Sequence, residues 1–206
     1  MRPSSPKSLA LEVRRRLKAE ANPTVAAGAQ RFFKDEIRAY GVHSPFLKQV
    51  VREIWPAVKE WTWAQRFAFC DALWRSGVLE EGILVTHLCR KWARQTGEQE
   101  LRVCGEWLER YVSNWAACDN LCLHWIAPAV AKDPGLIAVM DGWESSPVKW
   151  KRRAALAGLV HEVRRGREHA RAKRLIAKLA NDPEEIVRKA AVWLKRSVRD
   201  SAAKHA

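Results

Sequence analysis

The stretch Asp182-Pro183-Glu184-Glu185-Ile186-Val187-Arg188-Lys189-Ala190-Ala191-Val192-Trp193-Leu194 decides the fold, because it occurs twice. At an offset of 36 residues, Ser146-Pro147-Val148-Lys149-Trp150-Lys151-Arg152-Arg153-Ala154-Ala155-Leu156 aligns with it. Each copy opens on a side chain suited to capping a helix. Pro follows, and its fixed φ and missing N–H suit the first helical position. An apolar residue, a basic pair and an Ala pair come next. In the later copy Glu185 stands three residues after Asp182, where it completes a capping box or favours the positive helix end. A weaker third copy begins near Ser113, with Ser113 as cap and Trp115 at the place of Trp150. Helix pairs recurring at roughly 35–40 residues are the mark of an α-solenoid.

The rest of the chain agrees. Alternating β-branched runs are absent and good helix formers dominate. Gly and Pro fall at helix boundaries, among them Pro23, Gly41, Gly77, Gly97, Pro134, Pro147 and Pro183. The expectation is an all-α chain of about ten to twelve helices, each roughly 12–18 residues long. The pattern D-P-x-x-x-V-R-x-A-x-x-x-L from Asp182 to Leu194 resembles a HEAT repeat. This predicts an α-solenoid, a superhelix of HEAT-like repeats, with residues 1–206 as a single domain. Its inner helices would form a concave face, and residues 197–206 a frayed basic tail. An irregular helical bundle is the alternative.

The chain has 37 Lys and Arg against 23 Asp and Glu, a net charge of +14. Pro147 to Ala206 holds 17 of the basic and 6 of the acidic residues, so +11 of the excess lies there. A basic excess in one region points to a polyanionic partner, nucleic acid being the commonest. A solvated Arg/Lys-rich face reads the same way. The cysteines (Cys70, Cys89, Cys104, Cys118 and Cys122) are odd in number and include no Cys-x-x-Cys pair. They suggest neither a zinc site nor a disulfide framework, and fit small hydrophobes in a reducing cytoplasm. The charged start, Met1 to Lys18, is unlike a signal peptide. No run approaches the roughly 20 apolar residues of a membrane span.

Between Trp115 and Ala131 the one formally charged residue is Asp119. At 100° per residue, Trp115, Asp119, Cys122 and Ile126 share a face. An unpaired carboxylate in so apolar a helix is costly, so it needs a reason. A salt bridge to an Arg of the next repeat, or simple exposure to solvent, would be bland reasons. Stacked repeats would also bring Arg153 and Trp193 to the same face, with Arg188, Lys189, Lys195 and Arg196 near Trp193. Trp55, Trp61, Trp63, Trp74, Trp92, Trp107, Trp125 and Trp143 read as packing. His43, His124 and His161 read as surface or satisfied core histidines.

At these residues the chain resembles the AlkD-like family of HEAT-repeat DNA glycosylases. Tyr40-Gly41-Val42-His43-Ser44-Pro45-Phe46-Leu47-Lys48 is similar to the family's G-[IV]-x-x-P-x-L-[RK] segment. Trp115-x-x-x-Asp119 has the spacing of its active-site Trp and Asp. Trp150-Lys151-Arg152-Arg153-Ala154-Ala155 resembles its W-x-x-R-A-A helix, and Arg188 to Trp193 its last active-site Trp helix. The four occur in order over about residues 10–200. The resemblance implies hydrolytic removal of N3- and N7-alkylated purines, such as 3-methyladenine and 7-methylguanine, from duplex DNA, without flipping the base.

The residue types suit that chemistry. Alkylation makes the purine cationic and a good leaving group, so one carboxylate suffices where sugar hydrolases pair two. Asp119 would stabilise the oxocarbenium-like sugar and orient water. Trp115 and Trp193 would hold that sugar between their ring faces. Arg153 would grip a flanking phosphate, and Lys151, Arg152, Arg188 and Lys189 would track the backbone. No metal or organic cofactor is expected. The expected partner is double-stranded DNA carrying alkylated purines, and the expected state a monomer in the bacterial cytoplasm, with no membrane contact. Two rivals are a non-catalytic HEAT-repeat protein that binds distorted DNA and a protein-interaction solenoid, against which the basic C-terminal third argues.

Overall fold

The computed structural model describes residues 5–205, with side chains described for residues 5–203. Residues 1–4 of the charged N-terminal stretch and Ala206 of the expected tail lie outside them. The described chain is all-α, built of helical repeats as expected for a solenoid. Among the described residues the sole β feature is an isolated bridge between Arg38 and Val78. No described helix is long and apolar enough to cross a membrane. The chain divides into two compact units, residues 1–88 and 89–206.

The first unit contains α1 (Pro6–Ala19), α2 (Pro23–Gln30), α3 (Ser44–Val58) and α4 (Trp63–Trp74), and α5 (Leu79–Trp92) begins in it. Ser5 and Asn22 cap α1 and α2, each just before a Pro at the helix start. Thr62 and Gln65 close a capping box at α4. The α1 residues Leu9, Ala10, Val13 and Leu17 form one buried stripe, and α3 buries Leu47, Val50, Val51, Ile54 and Val58. Both follow helical spacing.

A carboxylate pair pins the segment before α3. Glu80 is buried, and its Oε atoms accept from three successive backbone N–H groups: Tyr40 at 2.9 Å, Gly41 at 2.7 Å and Val42 at 3.1 Å. Glu81 accepts from the Tyr40 hydroxyl at 2.7 Å and from Arg14 Nε and Nη2 at 2.9 and 2.7 Å. Burial, reinforced by the Glu81 hydrogen bond, pushes the Tyr40 hydroxyl up to about 12. Gly41 has φ +80°, and a Cβ there would meet the Asn22 carbonyl oxygen at 2.0 Å. Gly41→Ala is therefore expected to destabilise the protein by about 1–3 kcal/mol, measured as a lower denaturant midpoint with an unchanged m-value.

The second unit continues with α6 (Glu98–Arg110), α7 (Trp115–Leu121), a π turn (Cys122–Ile126) and α8 (Ala127–Lys132). Two 3₁₀ segments follow, Pro134–Met140 and Trp143–Ser145. The last helices are α9 (Lys149–Ala157), α10 (Val160–Arg164), α11 (His169–Leu179) and α12 (Glu185–His205). Helix α9 packs between α7 and α12, while α12 also packs on α10 and α11. Several elements are shorter than expected. Pro128 lacks the N–H that would bond His124, so α7 passes through the π turn before α8. Residues 134–145 bend through Pro134, Gly135 and Gly142, the last at φ +80°. Tail residues Ser197 and Ser201 are buried on the helical face of α12.

The repeated motif works differently from expectation. Its first side chain does not cap a helix. Ser146 Oγ accepts from Val148 N at 3.1 Å, and Asp182 Oδ1 from Glu184 N at 2.9 Å, so each closes a turn two residues on. The helices start only at Lys149 and Glu185, and Glu185 stands in the first turn of α12, as expected of an acid at the positive helix end, and pairs with Lys189 at 2.9 Å. The third copy begins on Asn114, not Ser113, and there the first side chain does cap the helix. Asn114 Oδ1 accepts from Ala117 N at 2.9 Å. The motif Arg residues complete the turns. Arg152 Nη1 donates to the Ser146 and Pro147 carbonyls at 2.9 and 3.0 Å, and Arg188 Nη1 to those of Asp182 and Pro183 at 2.6 and 2.8 Å.

Candidate active site

Asp119, Arg153 and Lys189 each stand fifth in their helices, which start at Trp115, Lys149 and Glu185. Arg153 uses that register. Its Nε donates to Asp119 Oδ1 at 2.8 Å and its Nη2 to Asp119 Oδ2 at 2.6 Å, a bidentate fork. Its Nη1 donates to the Ile186 carbonyl at 2.5 Å. One guanidinium thus joins α7, α9 and the start of α12. The Asp119 side chain keeps 14% of its surface exposed against 7% for Arg153.

Burial pushes the Asp119 carboxyl above the ordinary carboxylate range, and Arg153 pulls it part of the way back. Burial also opposes the charge of Arg153, but pairing with Asp119 outweighs it and raises the guanidinium above its ordinary value. The pair is thus water-poor and fixed by two hydrogen bonds.

Two thiols help to set it. Cys118 Sγ bonds the Trp150 carbonyl at 3.4 Å, and Cys122 Sγ the Ala154 carbonyl at 3.9 Å, one on either side of Asp119 along the chain. Trp115, one turn before Asp119, is 37% exposed. The expected face of Trp115, Asp119, Cys122 and Ile126 holds for its first two members only. Cys122 is covered by α9, its Sγ against the Ala154 carbonyl, and Ile126 is buried beyond the π turn, which interrupts the 100° phase after Cys122.

The other expected site residues separate into groups. Arg152 forks onto Asp182, Nε to Oδ2 at 2.7 Å and Nη2 to Oδ1 at 3.0 Å, tying α9 to the turn before α12. With its carbonyl bonds, this commits the Arg152 guanidinium within the protein. Lys151 reaches Glu109 at 2.5 Å and lies over the Trp143 ring at 5.7 Å. Lys189 is exposed, and Trp193, one turn beyond it on α12, is half-buried. Trp61, Trp74, Trp92, Trp107, Trp125 and Trp143 are buried as expected, while Trp55 and Trp63 are half-buried. His124 and His161 are half-buried. Burial, then neighbouring positive charge, lowers both below the ordinary histidine value.

The sequence reading treated the thiols as small hydrophobes and missed their bonds to α9. It also passed over Glu80 and Glu81, although two adjacent acids between Leu79 and the apolar run Ile83-Leu84-Val85 could have flagged them. What the centre can do chemically is limited and clear. It presents one carboxylate, partly open to water and held by a guanidinium, one helical turn from an exposed indole.

The family model described as DNA alkylation repair enzyme matches residues 13–204 of this chain. No curated protein matches it.

Proposed function

The chain belongs to the DNA alkylation repair enzyme family, and from that premise we propose that it is a DNA N-glycosylase. It would hydrolyse the N-glycosidic bond of cationic N3- and N7-alkylpurines, 3-methyladenine and 7-methylguanine among them, in duplex DNA without flipping the base. The observation that carries this reading is the partly exposed Asp119 carboxylate held bidentately by Arg153.

The cationic purine leaves with the electrons of the C1′–N bond and becomes neutral, so no general acid is required. The sugar left behind approaches an oxocarbenium ion. Asp119 offsets that charge and orients the water that adds to C1′, whose proton passes to the carboxylate and then to solvent. Preorganisation matters most here, since a group already fixed needs no rearrangement as charge develops. Arg153 supplies the fixing and favours the carboxylate form. Trp115 and Trp193 would flank the sugar, the indole faces favouring the cation over the neutral ground state.

A second reading is favoured by the same ion pair. Asp119 and Arg153 would serve only to join α7 to α9, in a non-catalytic protein that binds distorted DNA. Incubation of the wild-type protein at low salt with duplex DNA treated to carry N-methylpurines separates the two. Release of free 3-methyladenine or 7-methylguanine is expected. Binding of the duplex without free base would leave the second reading standing.

A further inference from the structure

The basic excess after Pro147 need not all be available to a partner. Arg152, Arg153 and Arg188 spend their guanidinium groups on Asp182, Asp119 and backbone carbonyls. Surface pairs occupy others, among them Arg171 with Asp141 and Lys178 with Glu144. Among the described residues of this segment, Arg164, Lys173, Arg174, Lys195 and Arg196 remain without a hydrogen-bonded or ion-pair partner.

Two of these five are on α12. That helix buries Val187, Ala190, Ala191, Leu194, Ser197 and Ser201 against the unit, a regular stripe at helical spacing. Lys189, Val192, Lys195 and Arg196 lie off that stripe, exposed, Val192 to 57%. Arg196 follows Trp193 by three residues, which sets it on the same side of the helix and about 4.5 Å further along the axis. Phosphates follow one another at about 3.4 Å of axis along a DNA strand. With a sugar on Trp193 and its strand running along α12, a neighbouring phosphate comes within reach of Arg196. Asp200, one turn beyond, is engaged by Arg199 at 3.0 Å.

We infer that Arg196, with Lys195, is a phosphate-binding site for the DNA backbone beside the lesion, and that Arg152 and Arg153 are joints between repeats instead, with Arg188 a brace of the turn before its own helix. The inference rests on the DNA-binding reading above. It commits the exposed side of α12 to one occupant, the backbone phosphates of duplex DNA. Arg196 supplies a bidentate contact and Lys195 a point charge.

The experiment measures the affinity of the full chain for unmodified duplex DNA as a function of salt. Three proteins are compared: wild type, Lys195→Gln/Arg196→Gln, and Lys173→Gln/Arg174→Gln, the last removing two equally free cations from α11. Loss of two phosphate contacts lowers the slope of log affinity against log salt by about 2, in magnitude, uniformly across DNA sequences. That change is expected in the α12 variant alone, with an unaltered circular dichroism spectrum. An unchanged slope in the α12 variant, or an equal fall in the α11 variant, overturns the assignment. Wild-type protein with no salt-dependent affinity would overturn the DNA-binding reading itself, which the variants presuppose.

Discussion

Asp119→Asn is expected to slow single-turnover release of alkylpurines by about 10²–10³-fold while duplex affinity stays near that of the wild type. The substitution keeps the shape of the side chain and one oxygen for Arg153, so the α7–α9 contact persists. It removes the charge that would offset the oxocarbenium-like sugar and the acceptor for the water proton. It also sets an amide N–H₂ against an Arg153 donor. Because Asp119 and Arg153 interact, stability must be followed alongside the rate, at a temperature well below the unfolding midpoint. A rate equal to wild type in folded protein would show that the carboxylate is only a joint and would remove the glycosylase mechanism.

The second large effect is expected from Arg153→Gln. In the native protein burial already holds the Asp119 carboxyl above its ordinary value, and Arg153 opposes that shift. Without the guanidinium the opposition is lost and the carboxyl rises further. A folded-state value above the unfolded one means that the folded protein binds the proton more tightly. Stability contributed by the protonated form is then lost as pH rises through the window between the two values. The variant should therefore be weakest at neutral pH, by about 3 kcal/mol, the cost typical of stripping one partner from a buried pair, and should recover toward acid pH. The acid limb of the pH–rate profile should move upward for the same reason, because the active form is the carboxylate. A merely structural Arg153 would lower stability without moving that limb. The double variant Asp119→Asn/Arg153→Gln should be less destabilised than the sum of the singles, which a double-mutant cycle reads directly.

The helical repeats were legible because they rest on local rules. The 36-residue match fixed which helices correspond, and Asp119 stood out as a lone acid in an apolar run. That its partner would be an Arg of the next repeat was one reading among others. The sequence could not reveal that the Arg is Arg153, since Arg152 is equally basic and adjacent. Which of the two meets Asp119 and which meets Asp182 depends on the rotation of α9 between its neighbours. The helices start two residues later than the caps suggest, for a related reason. Ser146 and Asp182 have the right chemistry for a cap, but Pro147 and Pro183 let them close a turn first. The roles of Cys118 and Cys122 were hidden because a thiol reads as apolar until a carbonyl lies opposite it.

The π turn at Cys122–Ile126 has one more consequence. It acts as a phase joint between two stretches of helix. Upstream, the angular position of Asp119 is set by the Asn114 cap and by α9. Downstream, α8 takes its own angular position against its own neighbours. A change that rotates α8 is absorbed in the wide turn before it reaches the carboxylate. The packing of α8 can thus change without turning Asp119 out of its register with Arg153.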